Sequence, residues 1–307
     1  MSASNPTTET AGPTAVRHAP LTKSTARLKR RKFWSNAFAT LCFSTTALAF
    51  VLLIWLLYGI VRDGWPTLSM RFITSPPSYR AERAGIYPAL MGSLWLIGIT
   101  IALSVPIGVG AAVYLQEYAA ANGLTRFVQL NIANLAAVPS VVYGILSLAL
   151  FVRTFHMGSS VLAGGMTLGL LILPVIIIAS QEALRGVPSS LRDGSYALGA
   201  TRWQTIRRNV LPVALPGIMT GVILAVSRAV GEAAPILIMG ALAYIRMAPT
   251  GLQSEFTALP IQIFNWAGAP QDEFKALAAS GIIVLVGVLL LMNTFAIVLR
   301  TRFNRKL

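Results

Sequence analysis

Five stretches of this chain carry no charged residue: 33–61, 84–116, 127–152, 154–181 and 276–299. Each exceeds the roughly 20 residues that a helix needs to cross about 30 Å of hydrocarbon. A sixth stretch, between Arg208 and Arg246, holds only Arg228 and Glu232. Charged residues make up 11% of the chain, the mean hydropathy is +0.68, and soluble domains carry about 25% charge. The missing charge leaves lipid as the solvent for much of the surface. Backbone groups in lipid must pair within their own segment, so the runs are expected to be helices. Barrel strands would alternate polar and apolar residues, and these do not. The expected fold is an all-α membrane protein of six transmembrane helices.

A net charge of +15 raises the question of nucleic acid, and its distribution answers against it. With six spans, 17 of the 25 bases fall on one side, seven on the other, and Arg228 lies within a span. The positive-inside rule then puts both termini in the cytoplasm. The outer loop containing Arg62, Arg71, Arg80 and Arg83 weakens that asymmetry without reversing it. Residues 1–32, rich in Ser, Thr, Ala and Pro, are expected to be a disordered basic tail. The six-helix membrane domain then occupies 33–307. The first apolar run is too long for a cleaved signal, and no small-residue cleavage site follows it.

The single cysteine, Cys42, allows no disulfide within one chain. No Walker A pattern occurs. His18 and His156 stand apart from any cysteine or acid cluster, so neither metal nor cofactor is expected.

The polar inner loop 181–209 carries most of the functional information. Ser190 and Asp193 resemble a capping box with a shortened acid. Leu191, Ser195 and Leu198 are expected on one face of a short helix, with Gly199 in the left-handed position that ends it. Thr201 is expected to cap a second short helix carrying Trp203 and Ile206. A compact protrusion of this kind suits insertion into a partner's groove.

The run Asp193-Gly194-Ser195, then Gly199, then Leu211-Pro212 resembles the Glu-Ala-Ala loop of ABC importer permeases. That pattern runs Glu-Ala-Ala, three residues, Gly, nine residues, Ile, one residue, Leu-Pro. The departures here are Asp193 for Glu, Gly194-Ser195 for Ala-Ala and Asn209 for Ile. Further segments are similar to phosphate permeases of the Pst family: Gly85-Ile86-Tyr87-Pro88-Ala89, Val138-Pro139-Ser140-Val141-Val142-Tyr143-Gly144, and Ser227 through Pro235. Leu259-Pro260-Ile261-Gln262-Ile263-Phe264-Asn265-Trp266 looks most like the PstA branch.

The resemblance implies an ABC importer permease fold in a prokaryotic inner membrane and a role in carrying phosphate. It implies a second, PstC-like permease, two PstB-like ATPase subunits and an extracytoplasmic PstS-like phosphate-binding protein as partners. It also implies that Leu191, Asp193, Ser195, Leu198, Gly199, Ala200, Thr201 and Trp203 couple the permease to the ATPase. The outer loop 246–275 would help to receive the binding protein, its Pro260–Trp266 stretch lying at the interface or dipping into the membrane. Permeases for sulfate or molybdate are the nearer alternative, and a secondary transporter the farther one.

Arg228 and Glu232 are four apart and share a helix face. Because a charge at the bilayer centre costs roughly 2.5–3.5 kcal/mol, the two should face protein or a water-filled path. Arg228 can meet phosphate with its planar fork of donors while Glu232 weakens its hold. The alternatives are a pair at a subunit interface, or one that serves only insertion. Pro235 is expected to kink the helix. Ser140 and Tyr143 can line the path, and Ser140 can equally serve helix packing. Gly165 and Gly169 fit a contact face, and Trp55, Trp65, Trp95 and Trp266 fit interfacial anchors.

Overall fold

The computed structural model of the chain describes residues 25–241 and 244–304. The expected tail lies outside these residues up to position 24, and the boundary placed at Lys32 falls inside a helix that starts at Thr25. Twelve α-helices occur among the described residues, with no strand beyond an isolated bridge between Ser160 and Glu255.

The helices are α1 (Thr25–Gly64), α2 (Met70–Thr74), α3 (Tyr87–Val113), α4 (Gly123–Ala136), α5 (Ser140–Ser147) and α6 (Val161–Arg185). There follow α7 (Ser189–Ala197), α8 (Arg202–Thr205), α9 (Leu211–Val230), α10 (Ala234–Met239), α11 (Leu259–Ala267) and α12 (Asp272–Asn304). The chain divides at Leu57 into two compact units. In the first, the α1 side chains Trp34, Phe38, Phe43 and Trp55 are exposed, as expected of a helix solvated by lipid. The rest of this description concerns the second unit.

Five helical stretches are long and apolar enough to cross a membrane, and a bent pair makes a sixth. With that pair counted as one span the expected six are present, the third of them broken. The third charge-free run breaks into α4 and α5, which meet at 101°. Proline has no N–H to give and its ring crowds the preceding turn, so Pro139 ends one helix and starts the next.

The span beginning near Arg208 also differs. Rather than kinking at Pro235, it ends at Val230, and α10 begins anew at Ala234 with Pro235 in its first turn. At its other end, α8 is no separate short helix. It runs through a wide turn, Ile206–Val210, into α9 as one stretch from Arg202 to Val230.

The core is organised on α6. Gly165 and Gly169 face α3: a Cβ at Gly165 would overlap Ile99, and one at Gly169 would rest in van der Waals contact with Ser104. On another side of α6, Ala179 and Ala183 sit over Gly221 and Gly217 of α9. Lipid provides no hydrophobic drive between helices, so this close approach of small residues is what holds them, through van der Waals contact.

The segment after α10 completes the core from outside. Val161 and Leu162, whose N–H groups the helix leaves unpaired, donate to the carbonyls of Ser254 and Leu252. Phe256 is fully buried among Leu96, Gly164 and their neighbours. The stretch Pro260–Trp266, expected at the interface or dipping into the membrane, is helical with one side buried: Leu259, Pro260, Ile261 and Gln262 are buried and Phe264 is exposed. Trp266 is no interfacial anchor but is 4% exposed, tilted against Phe72 with ring centroids 5.8 Å apart.

Candidate functional site

The inner loop forms a small, closely bonded unit. Helix α7 starts two residues earlier than expected: Ser189 follows Pro188, and no side chain caps the N-terminus. The Ser190–Asp193 capping box does not form, because Pro188 already fixes the entry angle and has no N–H to satisfy. The other end matches expectation. Gly199 has φ +77°, Ala200 N–H donates to the Ser195 carbonyl and Gly199 N–H to that of Tyr196, the paired bonds of a glycine-terminated helix. Thr201 caps α8, and Gln204 closes a reciprocal capping box.

Leu191, Ser195 and Leu198 do not share one environment. Leu198 is 90% exposed, and Leu191, Tyr196 and Trp203 are also exposed. Ser195 is turned inward, its hydroxyl 2.9 Å from that of Thr205 and accepting from the Asn209 amide at 3.0 Å. Helix α7 is thus fastened to the chain through Ser195 while Leu191, Tyr196 and Leu198 remain exposed. Asp193 is exposed as well. An open concavity of about 510 Å³, lined by Leu191, Gly194, Leu198, Gln204 and Arg208, lies next to it.

A second fastening comes from Arg192, which sequence reasoning passed over. Its guanidinium donates to both carboxylate oxygens of Glu117, at 2.7 and 3.3 Å. It also donates to the carbonyls of Leu184 and Val187, at 3.0 and 2.8 Å. Glu117 is 7% exposed and stands in a wide turn, Tyr114–Tyr118, that prolongs α3. Arg202 lies over the Tyr118 ring, 5.2 Å from its centroid. One signal was present in the sequence. Glu117 is the single acid between Glu82 and Glu182, and a lone acid at the end of an apolar helix needs a cation.

Arg228 and Glu232 do come together, with Nε 3.3 Å from Oε1. Arg228 occupies the last turn of α9, and Glu232 lies two residues past its end rather than within the helix. A cation in a last turn also meets the negative end of the helix dipole. The Arg228 side chain is 53% exposed and that of Glu232 20%, so the guanidinium keeps free donors. On a neighbouring face of α9, Ser227 pairs with Asn293 of α12 at 2.6 Å, and Arg300 donates to Thr220 at 2.7 Å. Neither contact was anticipated.

Ser140 and Tyr143 fall at the α4–α5 break, and neither is hydrogen-bonded to Arg228. Ser140 is half-buried in the first turn of α5. Tyr143 is buried, and its hydroxyl donates to the Leu135 carbonyl at 2.7 Å. Helix α10 packs on the same element, where a Cβ at Gly144 would overlap the backbone of Pro235.

Residues 104–307 match the family described as binding-protein-dependent transport system inner membrane component. The chain is 38% identical over 218 residues to phosphate transport system permease protein PstA 1 of Mycobacterium tuberculosis, covering 68% of this chain and 70% of that protein. It is 30% identical over 275 residues to the PstA protein of Pasteurella multocida, covering 87% and 94%. Among solved structures, a bacterial alginate ABC transporter bound to its periplasmic protein superposes with a TM-score of 0.64 at 15% identity, covering 88% of this chain and 96% of that one. An inward-facing MetNI methionine ABC transporter gives 0.55 at 22% identity, covering 71% and 94%.

Proposed function

The chain belongs to the binding-protein-dependent transport system inner membrane components, in the branch of phosphate transport system permeases, and we infer that it is the permease subunit of an ATP-driven phosphate importer. The observation that carries this reading is the long similarity to PstA proteins, 30% over 94% of the Pasteurella protein. It covers the inner loop, both charged residues of the Arg228–Glu232 pair and the buried Leu259–Trp266 segment.

The chain is a multi-pass protein of a prokaryotic inner membrane. With both termini in the cytoplasm, α7 lies on the cytoplasmic side. Its exposed Leu191, Tyr196 and Leu198 then dock in a groove of a PstB-like ATPase subunit, with Asp193, Gly199, Ala200, Thr201 and Trp203 shaping the contact. ATP is hydrolysed by that separate subunit. Two such subunits, a PstC-like second permease and a PstS-like phosphate-binding protein complete the importer. On the outer side, Met247, Leu252 and Phe264 are the exposed apolar residues of the 246–275 segment that remain available to the binding protein.

Phosphate passes Arg228. Its guanidinium fork matches phosphate oxygens and stays charged at ordinary pH, while Glu232, already at its Nε, competes with the anion. That competition keeps the encounter weak, so cargo leaves again. Ser140, at the start of α5, lines the same path, and Tyr143 supports it from behind by holding the break closed.

The test is labelled phosphate uptake in cells lacking this gene, with the gene restored or absent and excess sulfate as competitor. Restored uptake that ignores sulfate is expected. No difference between restored and absent, with all partners expressed, overturns the reading.

A further inference from the structure

Helix α7 has nine residues, and an isolated helix that short is unstable in water. Its end-caps shape it but do not connect it to the spans. The connection runs through two polar contacts. Arg192 donates to both carboxylate oxygens of Glu117 at the end of α3, to the Leu184 carbonyl in the last turn of α6, and to the Val187 carbonyl just past it. Ser195 is held by Thr205 and Asn209 of the helix that becomes α9.

The partners lie in special backbone. Glu117 belongs to a turn in which Ala119 N–H donates five residues back to Tyr114, and Asn209 to one in which Leu211 N–H donates five back to Ile206. Such widened turns within helices recur at functional sites and redirect side chains out of the normal helical register. Here they bring one side chain from each of two spans beneath the same short helix.

We propose that the Glu117–Arg192 ion pair is the strut through which displacement of α7 moves α3 and α6 together, with Ser195–Asn209 carrying the same displacement into α9. Glu117 and Arg192 are positioning residues and touch neither ATP nor phosphate. This inference rests on the importer reading above. A planar guanidinium engaged with a carboxylate and two carbonyls resists rotation as well as separation, which a single contact between α7 and the body would not. Docking and transmission are thereby assigned to different side chains of one helix: the exposed Leu191 and Leu198 dock, and Arg192 and Ser195, bonded to the spans, transmit.

The experiment uses the complete transporter, reconstituted in vesicles with its ATPase subunits and binding protein. Glu117→Gln and Arg192→Lys each keep a polar partner but lose the bidentate grip. We expect each variant to retain the wild-type amount of ATPase subunit on purification, because the exposed Leu191, Tyr196 and Leu198 are unchanged. Phosphate uptake per ATP hydrolysed is expected to fall about tenfold, within the usual range of coupling between sites. ATP hydrolysis is expected to lose its dependence on the phosphate-loaded binding protein.

Unchanged uptake per ATP in both variants overturns the proposal. So does a fall in uptake fully accounted for by lost ATPase subunit, which marks a docking or folding defect. A wild-type complex that hydrolyses ATP but imports no phosphate sinks the importer reading itself, and is distinguished by needing no variant.

Discussion

The Asn209 amide donates to the Ser195 hydroxyl at 3.0 Å, and both residues are departures from the Glu-Ala-Ala loop pattern. Where that pattern places alanine and isoleucine, this chain has serine and asparagine in contact. An apolar pair is thus replaced as a pair by a polar one. The exchange leaves no partner stranded, because each new polar group satisfies the other.

Removing one member alone strands a half-buried group, which costs about 1–3 kcal/mol, while exchanging both for apolar residues costs little. Ser195→Ala and Asn209→Ile are each expected to lower the thermal stability of the purified permease. The double variant is expected to be more stable than the sum of the two effects. Strict additivity of the melting shifts would show that the contact carries no coupling.

Leu198 is 90% exposed, so it contributes almost nothing to the fold of this chain. Leu198→Asp is expected to leave expression and melting temperature within the ±0.5 kcal/mol typical of surface changes. The same change is expected to abolish co-purification of the ATPase subunit. Normal recovery of the complex would place the docking contact elsewhere.

Arg228 presents free donors beside Glu232. Charge reversal, Arg228→Glu, is expected to abolish phosphate uptake with the complex still assembled, whereas Arg228→Lys keeps the charge but loses the fork and retains a fraction of the rate. Glu232→Gln removes the competing anion, so phosphate should leave more slowly. A lowered half-saturation together with a lowered maximal uptake rate would register that. Normal uptake by Arg228→Glu would leave the pair an interface or insertion feature.

The Tyr143 hydroxyl satisfies the Leu135 carbonyl at the α4–α5 break. The same carbonyl also accepts from the Val138 N–H, so Tyr143→Phe strands no acceptor and is expected to lower stability by only about 0.5–1.5 kcal/mol, the net worth of one hydrogen bond, read as a lower midpoint in a thermal scan. An unaltered midpoint would mean that the hydroxyl adds nothing to the backbone bonds already made at that carbonyl.

The wedge formed by Phe256 is tested by its socket. A side chain at Gly164 would collide with the Phe256 ring and Leu96, so Gly164→Val is expected to reduce the folded yield. Pairing it with Phe256→Ala, which vacates the space, should recover part of that yield. No recovery would mean that α3, rather than the wedge, sets the size limit at Gly164.

Much of this was legible in one dimension. Charge-free length marked the membrane-crossing material, since a charge cannot rest cheaply in hydrocarbon wherever the helix goes next. Gly199 and Thr201 were legible because caps are local: the residues concerned are neighbours in the chain, and their chemistry suits few other conformations. The failed Ser190 cap shows how narrow that legibility is, for Pro188, two residues earlier, had already set the helix start.

What the sequence determined by itself is therefore the amount and position of apolar helix and the polar loop with its terminating glycine. The tertiary structure alone decided which helices are continuous and which distant polar groups meet. Glu117 and Arg192 stand 75 residues apart, and Ser227 and Asn293 stand 66 apart. The same holds for the burial of Phe256 and Trp266, aromatic residues that suit a membrane interface equally well as sequence. Hydropathy reports the solvent that a segment tolerates and is blind to its partners. A buried ion pair or a packed ring exists only once two remote segments have been brought within a few ångströms of each other.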